Sequence, residues 1–159
     1  MRTQHIVTLR ELNRVLPKPK EKKIVVVGGC FDILHVGHVR FLSEARKMGD
    51  YLVVLLESDK KVKALKGEKR PVFIQKERAE MLSALKTVDL IVLLPMLETD
   101  RDYVNLLKRI KPVVVAVTEN DPLIGKKWRQ AEEVEGNLRI IPLTKTVSTS
   151  KLAGILGVD

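Results

Sequence analysis

The 159-residue sequence contains a single cysteine, Cys30, and only six aromatic residues. One cysteine cannot form a disulfide within the chain, so the cysteine content is compatible with a reducing compartment. No apolar run approaches the ~20 residues that a membrane-spanning helix requires. The first residues also lack the long apolar core of a signal peptide. We therefore expect a cytoplasmic protein that does not enter a membrane.

The chain carries an excess of positive charge. Lysine and arginine number 29 against 20 aspartates and glutamates, which gives a net charge of +9. Such a charge suits polyanionic ligands, from nucleoside triphosphates to nucleic acid. Because no aromatic residues interleave with a basic stripe, the sequence offers no platform on which bases could stack. Nucleic acid is therefore not the favoured partner.

Apolar runs alternate with stretches of helical periodicity along most of the chain. This alternation predicts an α/β fold with a parallel sheet of about five strands and helices on both faces. The expected strands are 24–27, 51–56, 88–94, 113–117 and 138–143. Residues 1–23 are expected to form a lead-in, a helix capped by Thr8 followed by a connector, and residues 24–159 a single domain. Residues 63–71 are expected to form a basic loop.

The stretch that organises the chain begins with the apolar run Ile24 to Val27 and continues through Gly28 and Gly29. A run this apolar predicts a strand buried on both faces. Helical periodicity starts about ten residues later. A strand followed by a glycine turn and a helix N-terminus is a typical phosphate-binding arrangement, because unpaired N–H groups and the positive end of the helix dipole point outward together.

Two of the three histidines, His35 and His38, lie at the expected start of this helix. At a spacing of three residues they would face the same ligand. Imidazoles can donate hydrogen bonds to phosphoryl oxygens, more strongly when protonated. The alternative is a capping pair in which one histidine is buried and internally satisfied. Gly37 between them indicates that something passes close to the backbone.

The run from Gly29 to His38 (Gly-Cys-Phe-Asp-Ile-Leu-His-Val-Gly-His) resembles the signature of the cytidylyltransferase-like nucleotidyltransferases. The resemblance implies a Rossmann-like domain that transfers a nucleotidyl group from an NTP to a phosphorylated small molecule and releases pyrophosphate. It implies that His35 and His38 are catalytic, and that the turn contributes nucleotide-binding residues at Gly29, Cys30, Phe31 and Gly37. Asp32 could help to position magnesium-bound phosphate or could brace the turn, and we favour the bracing role.

The segment Thr146 to Ser150 resembles a second element of the family, which supplies hydroxyl and backbone donors to the triphosphate. It adds Ser148, Thr149 and Ser150 to the expected nucleotide-binding residues, although such clusters also cap helices without any catalytic role. Some family members carry an arginine shortly before this element. Here Lys145 would substitute for it imperfectly, because lysine cannot form a bidentate fork.

Three further residues are expected to contact phosphate or the acceptor. Arg78 matches the usual phosphate ligand of the family, Lys66 belongs to the basic loop, and Asp121 lies in a loop that should shape the acceptor or base pocket. For Arg78 and Lys66 the alternative is an ordinary surface charge. Trp128 lies in a region that is near the base or acceptor in relatives. We favour the other interpretation, a solvent-facing helix whose aromatic is anchored in the core.

The resemblance extends over most of the chain and is strongest to the adenylyltransferase domain of ADP-heptose synthases. The expected substrates are ATP and a sugar phosphate similar to heptose 1-phosphate, with Mg²⁺ accompanying the NTP and no metal ligand assigned to the protein. Glycerol-3-phosphate cytidylyltransferase and FAD synthetase (FMN adenylyltransferase) activities are the alternatives. A nucleic-acid-binding module or a nucleotide-binding module without turnover also stays open, as does a homodimer.

Overall fold

The computed structural model describes residues 5–143 and 145–158, and within them six parallel strands form one sheet in the order β1-β4-β3-β2-β5-β6. The strands are β1 (His5–Thr8), β2 (Ile24–Gly29), β3 (Tyr51–Leu56), β4 (Leu90–Leu93), β5 (Val114–Thr118) and β6 (Asn137–Ile141). The helices are α1 (Leu12–Val15), α2 (Val36–Arg46), α3 (Asp59–Lys66), α4 (Gln75–Ser83), α5 (Asp100–Ile110), α6 (Ile124–Glu133) and α7 (Thr149–Leu156). None of the helices in these ranges has the length and apolar content that crossing a bilayer requires.

Helices cover both faces of the sheet, as the alternating sequence pattern predicts. Because successive side chains of a strand point to opposite faces, each central strand contributes to two buried layers. One layer joins β2 and β3 to α1, α5 and α6 through Ile24, Val26, Val53, Leu55, Leu12, Leu107 and Ala131. The other joins them to α2 and α4 through Val25, Val27, Leu52, Val54, Leu42, Ala45, Ala79 and Leu82. The α/β architecture is confirmed.

The sheet has one strand more than the sequence pattern indicates. Strand β1 lies at the edge and pairs with β4, with Ile6 opposite Ile91 and Val7 opposite Val92. It therefore belongs to the same sheet as the strands after residue 23. The expected helix of the lead-in is present as α1, but its N-cap is Glu11 and not Thr8. A four-residue strand with one buried apolar side chain, Val7, is too short to produce a readable alternation.

The prediction of a basic loop over residues 63–71 is partly wrong. Helix α3 covers its first four residues and begins at Asp59, where the side chain of Ser58 accepts a hydrogen bond from the N–H of Lys61 over 3.2 Å. Only Val62 is buried in this helix, so the sequence here lacks the apolar stripe that indicates an amphipathic helix. Charged residues on the remaining faces resemble a solvated loop in the sequence.

Strand β2 occupies the position that defines the site. Strands β3, β4 and β1 lie on one side of it, and β5 and β6 lie on the other. The strand order therefore reverses between β2 and β5, and in open parallel sheets ligands bind at the carboxyl edge beside such a reversal. The histidine turn follows β2 at this edge.

Candidate active site

Helix α2 begins with two histidines that are held by the backbone of their own turn. His35 is the N-cap residue, with extended backbone angles, and its Nδ1 accepts a hydrogen bond from the N–H of Gly37 over 3.1 Å. The N–H of His35 in turn donates to Nδ1 of His38 over 3.3 Å. This reciprocal capping satisfies two backbone donors at the helix start, and it fixes both rings relative to the turn.

The capping bonds determine where each ring carries its proton. A backbone N–H can only donate, so both Nδ1 atoms accept, and the ring proton of each neutral imidazole resides on Nε2. The ring centroids are 3.9 Å apart and the planes are inclined by 31°. The turn therefore holds two imidazole rings side by side, each with its proton on Nε2.

Both histidines are uncharged near neutral pH. Burial lowers the pKa of His35 below its ordinary value. Burial, the neighbouring imidazole and the charge of Lys66 together lower the pKa of His38 to about 4. The expectation that protonation strengthens these donors does not describe the resting site, in which the donors are neutral N–H groups.

Gly37 is required by the close approach of two other groups. A Cβ at this position would lie 2.8 Å from Cε1 of His35 and 2.8 Å from Cγ2 of Thr146. Thr146 begins the second motif of the sequence, so the fold brings the two motifs together although more than a hundred residues separate them. Only glycine, which has no Cβ, lets the backbone approach these two side chains without moving them.

The second motif leads into the N-terminus of α7. Ser148 is the N-cap, and its Oγ accepts a hydrogen bond from the N–H of Lys151 over 3.2 Å. Thr149 is half-buried and Ser150 is exposed in the first turn. The expected cap is therefore present, and the first N–H groups of α7 lie at the end of a segment that touches the histidine turn through Thr146.

The glycine turn after β2 forms one wall of the site. Phe31 is buried and adopts a positive φ of 44°, and its ring centroid lies 5.2 Å from that of His38. A Cβ on Gly29 would come within 2.9 Å of Cε2 of Phe31. Cys30 is partly buried, and burial raises the pKa of its thiol, so it stays protonated near neutral pH.

Asp32 braces the turn, which is the role that we favour from the sequence. Its side chain is buried, and it accepts hydrogen bonds from Nε of Arg70 at 2.5 Å, from the N–H of Val72 at 2.8 Å and from the N–H of Phe73 at 3.1 Å. Arg70 is also buried, at 4% exposure. The carboxylate thereby fastens the segment before α4 to the turn that carries the histidines.

Arg78 is placed inside the fold. It is fully buried, and its guanidinium donates to the carbonyl oxygens of Phe73, Cys30 and Glu57 and to Oδ1 of Asp59. These bonds tie the carboxyl ends of β2 and β3 to the segment before α4. A phosphate would compete with these four acceptors. Direct phosphate binding by Arg78 stays a prediction.

The remaining predicted ligands differ in their surroundings. Lys66 is exposed at the end of α3, and its charge lowers the pKa of both His38 and Cys30. Lys145 is exposed beside Thr146. Asp121 is already engaged, since its Oδ1 accepts from the N–H of Leu123 at 2.8 Å and its Oδ2 lies 2.6 Å from Nζ of Lys127.

Trp128 is not anchored in the core. Its side chain is 48% exposed, and its Nε1–H donates to Oε1 of Glu132 over 2.8 Å. The interpretation of this helix as solvent-facing is confirmed, because its buried side chains are Gln130 and Ala131. The part of that interpretation that buried the indole is wrong.

Asp32 and Glu57 have hydrogen-bond partners at the site that the sequence does not reveal. Arg70 meets Asp32 across 38 residues, and Tyr103 donates from its hydroxyl to Oε1 of Glu57 across 46 residues, over 2.9 Å. Neither separation corresponds to a helical or strand period. Only the position of Glu57 directly after β3, at the carboxyl edge of a parallel sheet, signals a ligand-facing residue in advance.

Comparison with known proteins identifies the family. The cytidylyltransferase-like family model matches residues 26–153. The chain belongs to the cytidylyltransferase-like family. Membership confirms the resemblance carried by residues 29–38, and with it the nucleotidyltransferase class.

Curated relatives include bifunctional HldE proteins. Those of Koribacter versatilis and Campylobacter fetus are 37% and 41% identical to this chain, each over 92% of it. The chain spans about 30% of the length of each. A solved lipopolysaccharide core biosynthesis protein from Thermoplasma volcanium is 25% identical, with a TM-score of 0.64 over 79% of this chain and 98% of that one. The similarity to ADP-heptose synthases is confirmed.

Proposed function

We propose that the protein transfers a nucleoside monophosphate from an NTP, with ATP as the first choice, to a phosphorylated small molecule such as a sugar phosphate similar to heptose 1-phosphate. Pyrophosphate is the second product. The observation that carries this proposal is the pair of neutral imidazoles, whose rings lie side by side at the start of α2, each with its proton on Nε2. Similarity to the HldE proteins favours ATP and a sugar phosphate over other pairs.

The proposed reaction needs little covalent chemistry from the protein. An oxygen of the acceptor phosphate attacks the α-phosphorus of the NTP, a new P–O bond forms, and the bond from the α-phosphorus to the bridging oxygen breaks so that pyrophosphate leaves. A phosphate dianion attacks without losing a proton, so no general base is required. The contribution of the protein is to position the two phosphates and to stabilise the charge on the transferring group.

His35 and His38 are the groups we assign to that stabilisation. Their Nε2–H donors would bind phosphoryl oxygens of the NTP, and the exposed charge of Lys66 beside His38 would add attraction for the polyphosphate. The first N–H groups of α7 and the hydroxyl of Thr149 would supply further donors. The brace from Asp32 to Arg70 keeps the histidine turn fixed while the charge redistributes.

Magnesium is proposed to accompany the NTP. The described residues contain no group of three or more His, Cys, Asp or Glu side chains that could hold a metal ion. Mg²⁺ commonly binds through substrate phosphates with few protein ligands, which fits this site. When bound, the ion supplies neutralisation of the phosphate charge. We further propose that the protein works in the cytoplasm, where NTPs are available, and as a homodimer.

A pyrophosphate-release screen tests the proposed function. Each of the four NTPs is combined, in the presence of Mg²⁺, with heptose 1-phosphate, hexose 1-phosphates, sn-glycerol 3-phosphate and FMN. We expect the highest rate with ATP and a sugar phosphate, and its loss in His35→Ala and His38→Ala. Highest turnover by CTP with glycerol phosphate, or by ATP with FMN, would replace the substrates and keep the reaction class. Absence of pyrophosphate with every pair would contradict the proposal.

A further inference from the structure

The carboxyl edge of the sheet is uncovered at one point on the face that α5 and α6 line. The four residues of β2 before Gly28 are buried, whereas Gly28 itself is exposed. By strand alternation it faces the same side as Ile24 and Val26. A Cβ built on Gly28 would meet only Leu55, at 3.9 Å. The backbone of β2 is therefore accessible to a ligand beside the histidine turn.

Glu57 stands at the rim of this opening. It follows Leu56, which pairs with Gly29, and its N–H donates to the carbonyl of Gly29 over 3.1 Å. Val53 and Leu55 point toward the α5 and α6 layer, and alternation places Glu57 on that side as well. The hydrogen bond from Tyr103 of α5 to Oε1 agrees with this direction.

The carboxyl group of Glu57 is only half satisfied. Oε1 accepts from Tyr103, but Oε2 is shielded from solvent and has no hydrogen-bond partner among the described residues. Buried polar atoms are almost always bonded, and an exception needs an explanation. Asp32, the structural carboxylate of the same edge, accepts from three donors. Glu57 lacks the set of donors that a purely structural carboxylate has.

The neighbouring cations do not satisfy Glu57. Nζ of Lys61 donates to the carbonyl of Leu97 over 3.0 Å, and Nζ of Lys127 lies 2.6 Å from Oδ2 of Asp121. Burial raises the pKa of Glu57, although Tyr103 and both lysines act in the opposite direction. A neutral donor that enters the opening would complete this carboxyl group without displacing an ion pair.

We propose that Glu57, positioned by Tyr103, is a specificity-determining residue that accepts a hydrogen bond from a hydroxyl group of the acceptor, whose carbon skeleton lies over Gly28. This inference rests on the proposed function and narrows its acceptor to a polyhydroxylated phosphate, a sugar or polyol phosphate. The phosphate end of the acceptor lies on the histidine side and is not bound by Glu57.

Titration calorimetry of the protein saturated with a non-hydrolysable ATP analogue tests this inference. The probes are heptose 1-phosphate and inorganic phosphate, and the variants are Glu57→Gln, Tyr103→Phe and, as a matched control, Glu44→Gln, an exposed residue on the far half of α2. We expect Glu57→Gln to weaken heptose 1-phosphate binding at least tenfold, with binding of inorganic phosphate and of the ATP analogue within twofold of wild type. The control should bind all three as wild type does.

Several outcomes would overturn the inference while leaving the reaction class intact. One is equal affinity of Glu57→Gln and wild type for heptose 1-phosphate. Another is equal loss of inorganic phosphate binding, which would indicate a disturbed site. If Glu57→Gln does not fold, Tyr103→Phe takes its place, with an expected loss of at least threefold for heptose 1-phosphate alone. Absence of turnover with every acceptor is instead the failure of the proposed function.

Discussion

The main-chain N–H of His35 donates to Nδ1 of His38 over 3.3 Å, and the two ring centroids lie 3.9 Å apart. The hydrogen bond places the proton of His38 on Nε2, and the bond from Gly37 does the same for His35. Two neutral imidazoles, each with an Nε2–H donor, thus lie together at the start of a helix. This arrangement is suited to an anion with closely spaced oxygens, such as a polyphosphate.

Replacement of either histidine should reduce catalysis more than substrate binding. His35→Ala and His38→Ala each remove one donor to a transferring phosphate, and loss of one such donor typically lowers kcat by about 10² to 10³. Steady-state kinetics of pyrophosphate release measures the effect. A kcat within threefold of wild type in both variants would mean that the imidazoles only cap the helix.

The stability of the fold should depend on pH through His38. Its pKa is about 4 in the folded protein and ordinarily 6.5, so between these values the unfolded chain binds a proton that the folded protein excludes. The free energy of unfolding should therefore fall as the pH falls from 6.5 to 4, by up to about 3 kcal/mol from this residue. Urea unfolding of wild type and of His38→Asn, compared across this range, isolates the contribution. Parallel curves for the two proteins would show that the His38 pKa is not lowered.

A methyl group on Gly37 should damage the site and spare the fold. In Gly37→Ala the new Cβ would stand 2.8 Å from both the His35 ring and Thr146, so the ring or the second motif must move. We expect at least a tenfold loss of kcat/KM. Gly125→Ala is the matched control, because nothing lies within 4 Å of its Cβ and alanine should stabilise α6 by ~0.5–1 kcal/mol. Equal activity of the two variants would show that the contact at Gly37 is unimportant.

The pair of Asp32 and Arg70 should contribute strongly to stability. Both side chains are buried, and Asp32→Asn removes the negative charge that lies 2.5 Å from Nε of Arg70. Removing one partner of a buried pair typically costs about 3–5 kcal/mol. The exposed pair of Glu44 and Lys47 serves as the control, since its loss should change stability by less than ~1 kcal/mol. Urea unfolding measures both, and similar small losses would contradict the bracing role.

Lys66 should act on the nucleotide through its charge. Lys66→Ala removes a cation close enough to lower the pKa of His38. We expect a higher KM for the NTP, by about threefold to tenfold at low salt, with a smaller difference as salt screens the charge. Lys86→Ala, an exposed lysine before β4 at the opposite edge of the sheet, should behave as wild type. Equal KM values for the two variants would exclude Lys66 from the site.

The parts of the fold that sequence could predict are those where one local pattern decides. The apolar run Ile24 to Val27 is long enough to predict a central strand, and Ser148 indicates the N-cap of α7. The sequence does not predict strand β1 or helix α3, because each buries only one apolar side chain among its described residues. This side chain is Val7 in β1 and Val62 in α3. Their structure depends on partners elsewhere in the chain.

The candidate site shows the same division. The paired histidines and the Ser148 to Ser150 segment are local motifs, and the sequence predicts that each lies at the start of a helix. The partner of Asp32 and the partner of Glu57 are set by how α4 and α5 pack on the sheet, which no residue spacing encodes. Arg78 illustrates the limit, because its sequence context is that of a surface charge or a phosphate ligand, and the fold buries it among carbonyl oxygens.

A crystal structure with a non-hydrolysable ATP analogue tests whether the two imidazoles bind the polyphosphate of a nucleotide. We predict a phosphate oxygen within about 2.7–3.2 Å of Nε2 of His35 and another within the same range of Nε2 of His38. A triphosphate bound elsewhere on the sheet edge, or imidazoles whose Nε2 atoms contact only protein in the complex, would contradict it.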